Sequence, residues 1–372
     1  MRDVTRIPNL YPADRLARAR ELAGEAGFDV ILISPGADLR YLTGYAAKAL
    51  ERLTCLVIPL EGEPFIVVPK LERAAAQVPI GEKIEIIDWN ETEDPYALVA
   101  ARLDRDVARI AVDNRMWAEK VLAFREVIPG ARQELASRVL REMRMRKSPQ
   151  EVEALRQAGA AIDRVHAQMG DWLRAGRTER EVARDIKDAI VAAGHVTADF
   201  AIVASGPNAA SPHHDVSDRV IEPGEPVVVD IGGTTEDGYC SDSTRTYAIG
   251  EPSREFLDYF EVLLRAQVTQ TKAVRPGLSA ERLDAIGREI IASAGYGDFF
   301  IHRTGHGIGL EGHEEPYIVE GSTLPLERGM TFSVEPGIYV SGRHGARIED
   351  IVVCTESGGE RLNLTPRELN IL

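Results

Sequence analysis

The stretch PVVVDIGG at residues 226–233, answered by YCSDSTRT at residues 239–246, decides how this chain is read. Both runs have the composition of a buried strand, and each carries an acid into it, Asp230 in the first and Asp242 in the second. A carboxylate sunk among aliphatic side chains is costly unless a cation, a base or a proton compensates it. Residues 234–238, TTEDG, are a hairpin signal between the runs. The hairpin sets the two aspartates side by side.

The same pattern recurs downstream. Glu335 lies in FSVEPGIY, residues 332–339, where an apolar strand meets a Pro-Gly turn. Glu349 opens the apolar run in RIEDIVV, residues 347–353. Side chains alternate along a strand, so Arg347 and Glu349 share one face and Asp350 takes the other. Glu349 rather than Asp350 is therefore read as the partner of the other acids. His306 sits in RTGHGIGL, residues 303–310, whose glycines let backbone come close to a bulky or charged group. His302 and His313 flank it, which favours a working cluster over a lone structural histidine. Glu314 and Glu315, directly after His313, read as ordinary solvent-facing charges. His213 and His214, in a loop after SGPN at residues 205–208, would by themselves read as surface histidines.

Asp230, Asp242, His306, Glu335 and Glu349 together have the chemistry of a two-metal ligand set. Divalent cations take oxygen ligands, and two of them in one site need shared carboxylates to offset their repulsion. One imidazole among the acids suits manganese, cobalt, iron or zinc better than calcium or magnesium. Such a set points to hydrolysis.

Composition narrows the setting. The chain has 372 residues, enough for two domains, and is 44% hydrophobic. Acids outnumber bases 59 to 44, a formal charge of −15, which disfavours nucleic acid and anionic membrane as partners. Its 3 cysteines, Cys55, Cys240 and Cys354, have no metal-like spacing and read as buried thiols. The first residues lack an apolar signal core, and no apolar run approaches the roughly 20 residues of a membrane span. A cytoplasmic location is the resulting expectation.

Helical and strand patterns alternate through the first part of the chain. They predict helices at 12–27, 94–104 and 116–127, with strands at 30–33, 54–59, 64–69, 83–89 and 109–112. That alternation predicts a small α/β domain. A boundary falls near 141–148. There Ser148, Pro149 and Glu151 form a capping box that opens a helix expected to reach Arg174. A second capping box at 178–181 opens a helix ending near Gly194, and two more helices are expected at about 252–274 and 280–294. The remainder is strand-rich and predicts an α+β domain with a mostly antiparallel sheet.

The segments quoted above resemble those of the prolidase and aminopeptidase P group. That group shares the pita-bread metallopeptidase fold with methionine aminopeptidase and creatinase. YCSDSTRT, HRTGHGIG at 302–309, HEEP at 313–316, EPGIY at 335–339 and RIED at 347–350 carry the resemblance. DLRYLTG at 38–44 and RKSPQEVE at 146–153 extend it toward the N-terminus. The turn between Asp230 and Asp242 is one residue longer than usual for the group, at Glu236 and Asp237. A longer turn absorbs that residue without flipping Asp242 to the other face.

The resemblance implies an α/β creatinase/prolidase-like amino-terminal domain, residues 1–143, and an α+β pita-bread catalytic domain, residues 144–372. It implies a dinuclear-metal hydrolase that cleaves Xaa-Pro bonds, as a dipeptidase or an aminopeptidase, through a metal-bridging hydroxide. Asp242 and Glu349 would bridge two divalent ions, manganese first among manganese, cobalt, zinc and iron. Asp230 would add to one ion, and His306 and Glu335 to the other. Glu335 would accept the proton, and His213 and His313 would steady the reacting carbonyl and help proline leave. His302, Tyr339 and Arg347 would stand beside the ligands or meet substrate. Tyr317 stands where some prolidases carry arginine, which weakens restriction to dipeptides. The partners implied are a proline-containing di- or oligopeptide and a second copy of the chain. A hydrolase of another small amide or an organophosphate, or a metal-free binding protein, are the alternatives on the same fold.

Overall fold

The computed structural model describes residues 7–76, 84–103 and 106–372. Residues 1–6 of the N-terminal stretch, Lys83 of the expected strand at 83–89 and Asp104 of the expected helix at 94–104 lie outside them. The chain divides into two units, one of residues 9–144 and the other of residues 145–372 together with Ile7 and Pro8.

The N-terminal unit is built on a mixed sheet of β1 (Val30–Ile33), β2 (Cys55–Pro59), β3 (Phe65–Pro69), β4 (Glu85–Trp89), β5 (Arg109–Val112) and β6 (Arg132–Leu135), in the order β4-β3-β2-β1-β5-β6. The helices are α1 (Asp14–Glu25), α2 (Ala37–Thr43), α3 (Pro95–Ala100), α4 (Ala118–Val127) and α5 (Ser137–Met145). Val30, Leu32, Val57, Val67, Ile110 and Phe124 form its core. The reading by periodicity passes over α2, β6 and α5, which are short or lie in strongly charged sequence. Helix α5 runs through the first part of the stretch 141–148 read as the boundary.

The C-terminal unit repeats one design twice. Helices α6 (Pro149–His166), α7 (Met169–Trp172) and α8 (Glu179–Ala192) precede β7 (His195–Ser205), β8 (Pro226–Thr235) and β9 (Cys240–Ala248). Helices α9 (Arg254–Ala273) and α10 (Ala280–Ser293) precede β10 (Gly305–Gly307), β11 (Glu314–Ile318), β12 (Thr331–Val334), the hairpin β13 (Gly337–Val340) and β14 (His344–Arg347), then β15 (Asp350–Thr355), β16 (Gly358–Arg361) and β17 (Asn370–Ile371). Two larger sheets result, ordered β17-β9-β8-β7 and β11-β10-β12-β15-β16. The capping boxes predicted at Ser148/Glu151 and Thr178/Glu181 are both formed. Helix α6 stops at His166 rather than at Arg174. There Gln168 donates its side-chain amide to the Arg164 carbonyl, and the short helix α7 then takes Met169 into the core.

Strand alternation decides what each face does. Val227, Val229 and Ile231 of β8 pack with Ile162, Val165 and Ile186 of the helices. Phe332 and Val334 of β12 pack with Val274 and Leu283 in the second core. Asp230 and Ser333, one position out of phase with these, fall on the opposite faces. The β8–β9 pairing runs without a break from Pro226↔Ala248 to Thr234↔Cys240. The added residue at 236–237 is thus taken up wholly in the turn, where Gly238 has φ of +87°. All 3 cysteines are buried free thiols. No helix among the described residues is long and apolar enough to cross a membrane.

His166 ties α6 to the strand bearing Asp242. Its Nε2–H donates to the Ser243 carbonyl at 3.3 Å, and its Nδ1 accepts from the Tyr247 hydroxyl at 2.9 Å. Burial, and after it the charge of Arg245, lowers this imidazole from 6.5 to about 3. The folded value is depressed below the unfolded one. The neutral ring therefore supports the fold above pH 6.5, and this contribution is lost as pH falls toward 3. Between pH 6.5 and about pH 4.5, wild type should lose roughly 2 kcal/mol more unfolding free energy than His166→Gln, read by urea denaturation. Parallel profiles would contradict this role.

Candidate active site

The inner faces of the two larger sheets bring the sequence-predicted acids together. Asp230 and Asp242 project from β8 and β9, where Asp230 opposes Thr244 and Asp242 opposes Gly232. Glu335 follows β12, and Glu349 precedes β15. Carboxylate oxygens of Asp230, Asp242 and Glu349 lie within 4.8 Å of one another. Ligand atoms of His306, Glu335 and Glu349 do the same, as do those of Asp242, His306 and His313. The groups overlap at Asp242, Glu349 and His306.

Neighbouring residues fix these side chains. His306 Nδ1 lies 3.1 Å from the Gly307 carbonyl, which can only accept, so the proton sits on Nδ1. Its Nε2 faces Glu335 at 3.2 Å and Asp242 at 3.7 Å, donating to a carboxylate when it carries a proton and offering a lone pair to a cation when it does not. Ser333 accepts from the His306 backbone N–H at 3.0 Å and donates to Glu335 at 2.9 Å, which couples the two positions. Close backbone approach explains the glycine before His306. A Cβ on Gly305 would lie 1.9 Å from the Ser333 carbonyl oxygen.

Arg347 is the cation built into the cluster. It donates to Asp230 at 2.6 Å, to the Tyr339 hydroxyl at 2.8 Å, to Thr244 at 3.1 Å and to the Pro212 carbonyl at 3.2 Å. Thr244 in turn donates to Glu349 at 2.7 Å. His302 gives its Nδ1–H to the Arg303 carbonyl at 2.7 Å, so its Nε2 accepts from the Tyr339 hydroxyl at 2.9 Å. His313 stacks on His306 with ring centroids 3.7 Å apart.

One arginine does not balance this charge. Burial, followed by the charges of Glu349, Asp230 and Glu335, drives the Asp242 carboxyl well above the ordinary carboxylate range. Burial, then Glu335 and Asp230, does the same to Glu349. Glu335 goes the other way. Burial alone would raise it, but the His306 hydrogen bond and the charges of His306, His302 and Arg347 outweigh that and bring it to about 2. Burial, then the charge of His306, lowers His313 to about 4, so it is neutral at neutral pH. Among the described residues, Asp230 Oδ1 and Glu349 Oε1 are buried with no hydrogen-bond partner. Orphaned, mutually repelling oxygens beside a histidine lone pair fit divalent cations.

The cluster forms the floor of a cavity of about 460 Å³, within the range of small-molecule sites. Phe200, Ile202, Pro212, His213, His302, Arg303 and His313 complete its walls. Phe200 and Ile202 were not read from the sequence, although their place on β7 opposite Gly232 and Asp230 follows from strand alternation. Thr244 and Ser333 were also missed. Each stands two residues from an acid on the same strand face, which is the signal that finds them. Tyr317 carries the Arg303 guanidinium over its ring at 4.3 Å.

Two neighbouring acids lie outside the cluster. Asp350 faces away from Glu349 and accepts from Arg245, Arg361 and Arg367, with Gln267 also donating to it. Glu314 corrects the expectation of a solvent-facing charge. It is buried and pairs with Lys147, itself buried, at 2.5 Å. Position 314 falls on the inward phase of β11, together with Pro316 and Ile318.

Residues 153–356 match the model of metallopeptidase family M24, and residues 15–146 match the creatinase/prolidase N-terminal domain. The chain is 50% identical over 362 residues to a protein named probable dipeptidase PepE from Mycobacterium tuberculosis, covering 97% of this chain and 96% of that one. It is 36% identical over 375 residues to a Xaa-Pro dipeptidase of Lactobacillus helveticus, covering 96% and 98%. The crystal structure of dipeptidase PepE from Mycobacterium ulcerans superposes with a TM-score of 0.91 at 51% identity, covering 97% of this chain and 98% of that one.

The raised carboxylates set a stability test. Their folded values lie above the unfolded ones, so the metal-free protein should lose stability as pH rises past about 4.5. Glu349→Gln should reduce that loss and raise the melting temperature of chelated protein at pH 8 while weakening cation binding. Asp350→Asn should instead cost roughly 3–5 kcal/mol with or without cations, because it strands the buried Arg245 together with the partly buried Arg361 and Arg367. Equal effects of the two substitutions on chelated protein would contradict the division between the two acids. With an M24 model matched across its catalytic unit and the creatinase/prolidase domain before it, the chain belongs to metallopeptidase family M24 and has its two-domain pita-bread architecture.

Proposed function

We propose that this chain is a two-metal exopeptidase that hydrolyses Xaa-Pro bonds in short peptides. The observation that carries the reading is the buried acid cluster with its orphaned oxygens, Asp230 Oδ1 and Glu349 Oε1, on the floor of a peptide-sized cavity. Asp230, Asp242, His306, Glu335 and Glu349 would hold two divalent cations. Manganese is the first candidate, with cobalt, zinc and iron behind it, because the donors are carboxylates with one imidazole. When bound, such cations neutralise the carboxylates, polarise a carbonyl and acidify water.

The protein's own groups account for the remaining work. Glu335, held ionised by its neighbours, is assigned to accept a proton from the attacking water. His313, neutral at neutral pH, acts as a hydrogen-bond donor to the developing oxyanion. His213, across the cavity, is assigned to the proline nitrogen as it leaves. Phe200, Ile202 and Pro212 offer an apolar wall suited to a pyrrolidine ring. The relatives named dipeptidase or Xaa-Pro dipeptidase support that choice of substrate. A homodimer in the cytoplasm belongs to the proposal on the strength of family resemblance.

Exhaustive chelation should abolish turnover of a Xaa-Pro dipeptide, and manganese or cobalt should restore it. Activity untouched by chelation would contradict the proposal. Glu335→Gln should fold normally and lower kcat by about a hundredfold or more. In the same assay, Xaa-Pro dipeptides set against Xaa-Pro-Xaa tripeptides separate the two exopeptidase modes. Strong preference for the dipeptide assigns a dipeptidase, and equal or better use of the tripeptide assigns an aminopeptidase.

A further inference from the structure

His213 has a neighbour of the same type that turns the other way. His213 lines the cavity, whereas the Nε2–H of His214 donates to Glu179 at 2.9 Å. Glu179 is the first residue of α8, and its side chain is fully buried. An ionised carboxylate only accepts hydrogen bonds, and this one is surrounded by donors. The Ser205 backbone N–H donates to it at 2.8 Å and the Ser205 hydroxyl at 2.9 Å. Asn208 donates its amide at 3.0 Å. The Ser217 hydroxyl donates at 2.6 Å and its backbone N–H at 3.2 Å. Burial opposes the charge on Glu179, but the donors outweigh it and hold this carboxyl below its ordinary value.

All these donors belong to one segment, residues 205–217. Ser205 ends β7, and Ser217 closes the loop on its far side, so Glu179 fastens both ends of the segment to α8. Between them the segment has no strand of its own, only the short turn Gly206–Ala210. From the cavity side Arg347 holds the Pro212 carbonyl, and Arg347 is also bonded to Asp230. The loop carrying Pro212 and His213 is thus held between a buried anion and a buried cation.

We propose that Glu179 is a positioning residue for His213, acting through His214 and the two serines to hold that imidazole at one place over the metal-ligand cluster. The proposal rests on the reading that His213 works on substrate. The adjacent histidines divide the labour, His213 meeting the cavity and His214 serving as the handle by which the loop is held. Glu179 touches neither the cavity nor any of the acids on its floor.

The test is a double-mutant cycle between His213 and His214, read on a Xaa-Pro dipeptide. His214 is the better site for substitution, because removing Glu179 would leave its buried donors unpaired. His214→Ala should lower kcat/KM by about tenfold to a hundredfold, chiefly through kcat, with manganese stoichiometry unchanged. His214→Gln, whose amide N–H can still donate to Glu179, should recover most of the loss. In a His213→Ala background, His214→Ala should have no further effect. Equal losses in both backgrounds, or no loss in either, would overturn the proposal. Amide hydrogen exchange over residues 206–213 gives a readout independent of turnover, and it should quicken in His214→Ala and return in His214→Gln. Wild-type protein without Xaa-Pro activity would sink the functional reading. Exchange then decides the tether alone, and unchanged exchange overturns it.

Discussion

Asp230, Asp242, Glu335 and Glu349 share one buried space with Arg347 and the His306 imidazole, and this excess of negative charge governs the C-terminal unit. Charge of one sign in a poorly hydrated site raises the free energy of the fold unless something neutralises it. Protons do so in part, and Asp242 and Glu349 are driven toward the protonated form. Divalent cations do so more completely, and their charge at this place is also what peptide hydrolysis needs. Stability and chemistry therefore draw on the same residues.

The surrounding fold can be understood as the frame that keeps those acids in place. Each sheet turns one face to helices and packs it with aliphatic residues, such as Val227, Val229 and Ile231 on one and Phe332 and Val334 on the other. The opposite faces are then free to carry polar groups. Ser333 links His306 to Glu335, and Thr244 links Arg347 to Glu349. Arg347 joins Asp230 to Tyr339, and Tyr339 donates to His302. Long side chains with fixed hydrogen-bond partners lose little freedom when a ligand arrives, which suits a site that must hold a reacting bond at a set distance.

Much of this was legible in the amino-acid sequence because strand alternation is a local rule. An acid inside PVVVDIGG had to face somewhere other than the helix-packed side, and the same rule divided Glu349 from Asp350. Capping boxes at Ser148 and Thr178 marked helix starts for an equally local reason. What stayed hidden depends on partners distant in the chain. Glu314 looked like surface charge because nothing nearby announces Lys147. Glu179 drew no reading of its own beside the capping box at 178–181, because its donors lie at Ser205, Asn208, His214 and Ser217. Helix α6 was drawn too long because no glycine or proline stands at Ala167 or Gln168, and its end is set by tertiary packing of Met169.

The central claim is that two cations occupy the charge cluster and share its inner carboxylates. Anomalous diffraction from crystals grown with manganese tests this directly. Two peaks should appear, both bordered by Asp242 and Glu349, one reached by Asp230 and the other by His306 and Glu335. Crystals in which those carboxylates splay apart with no anomalous density between them would contradict the account.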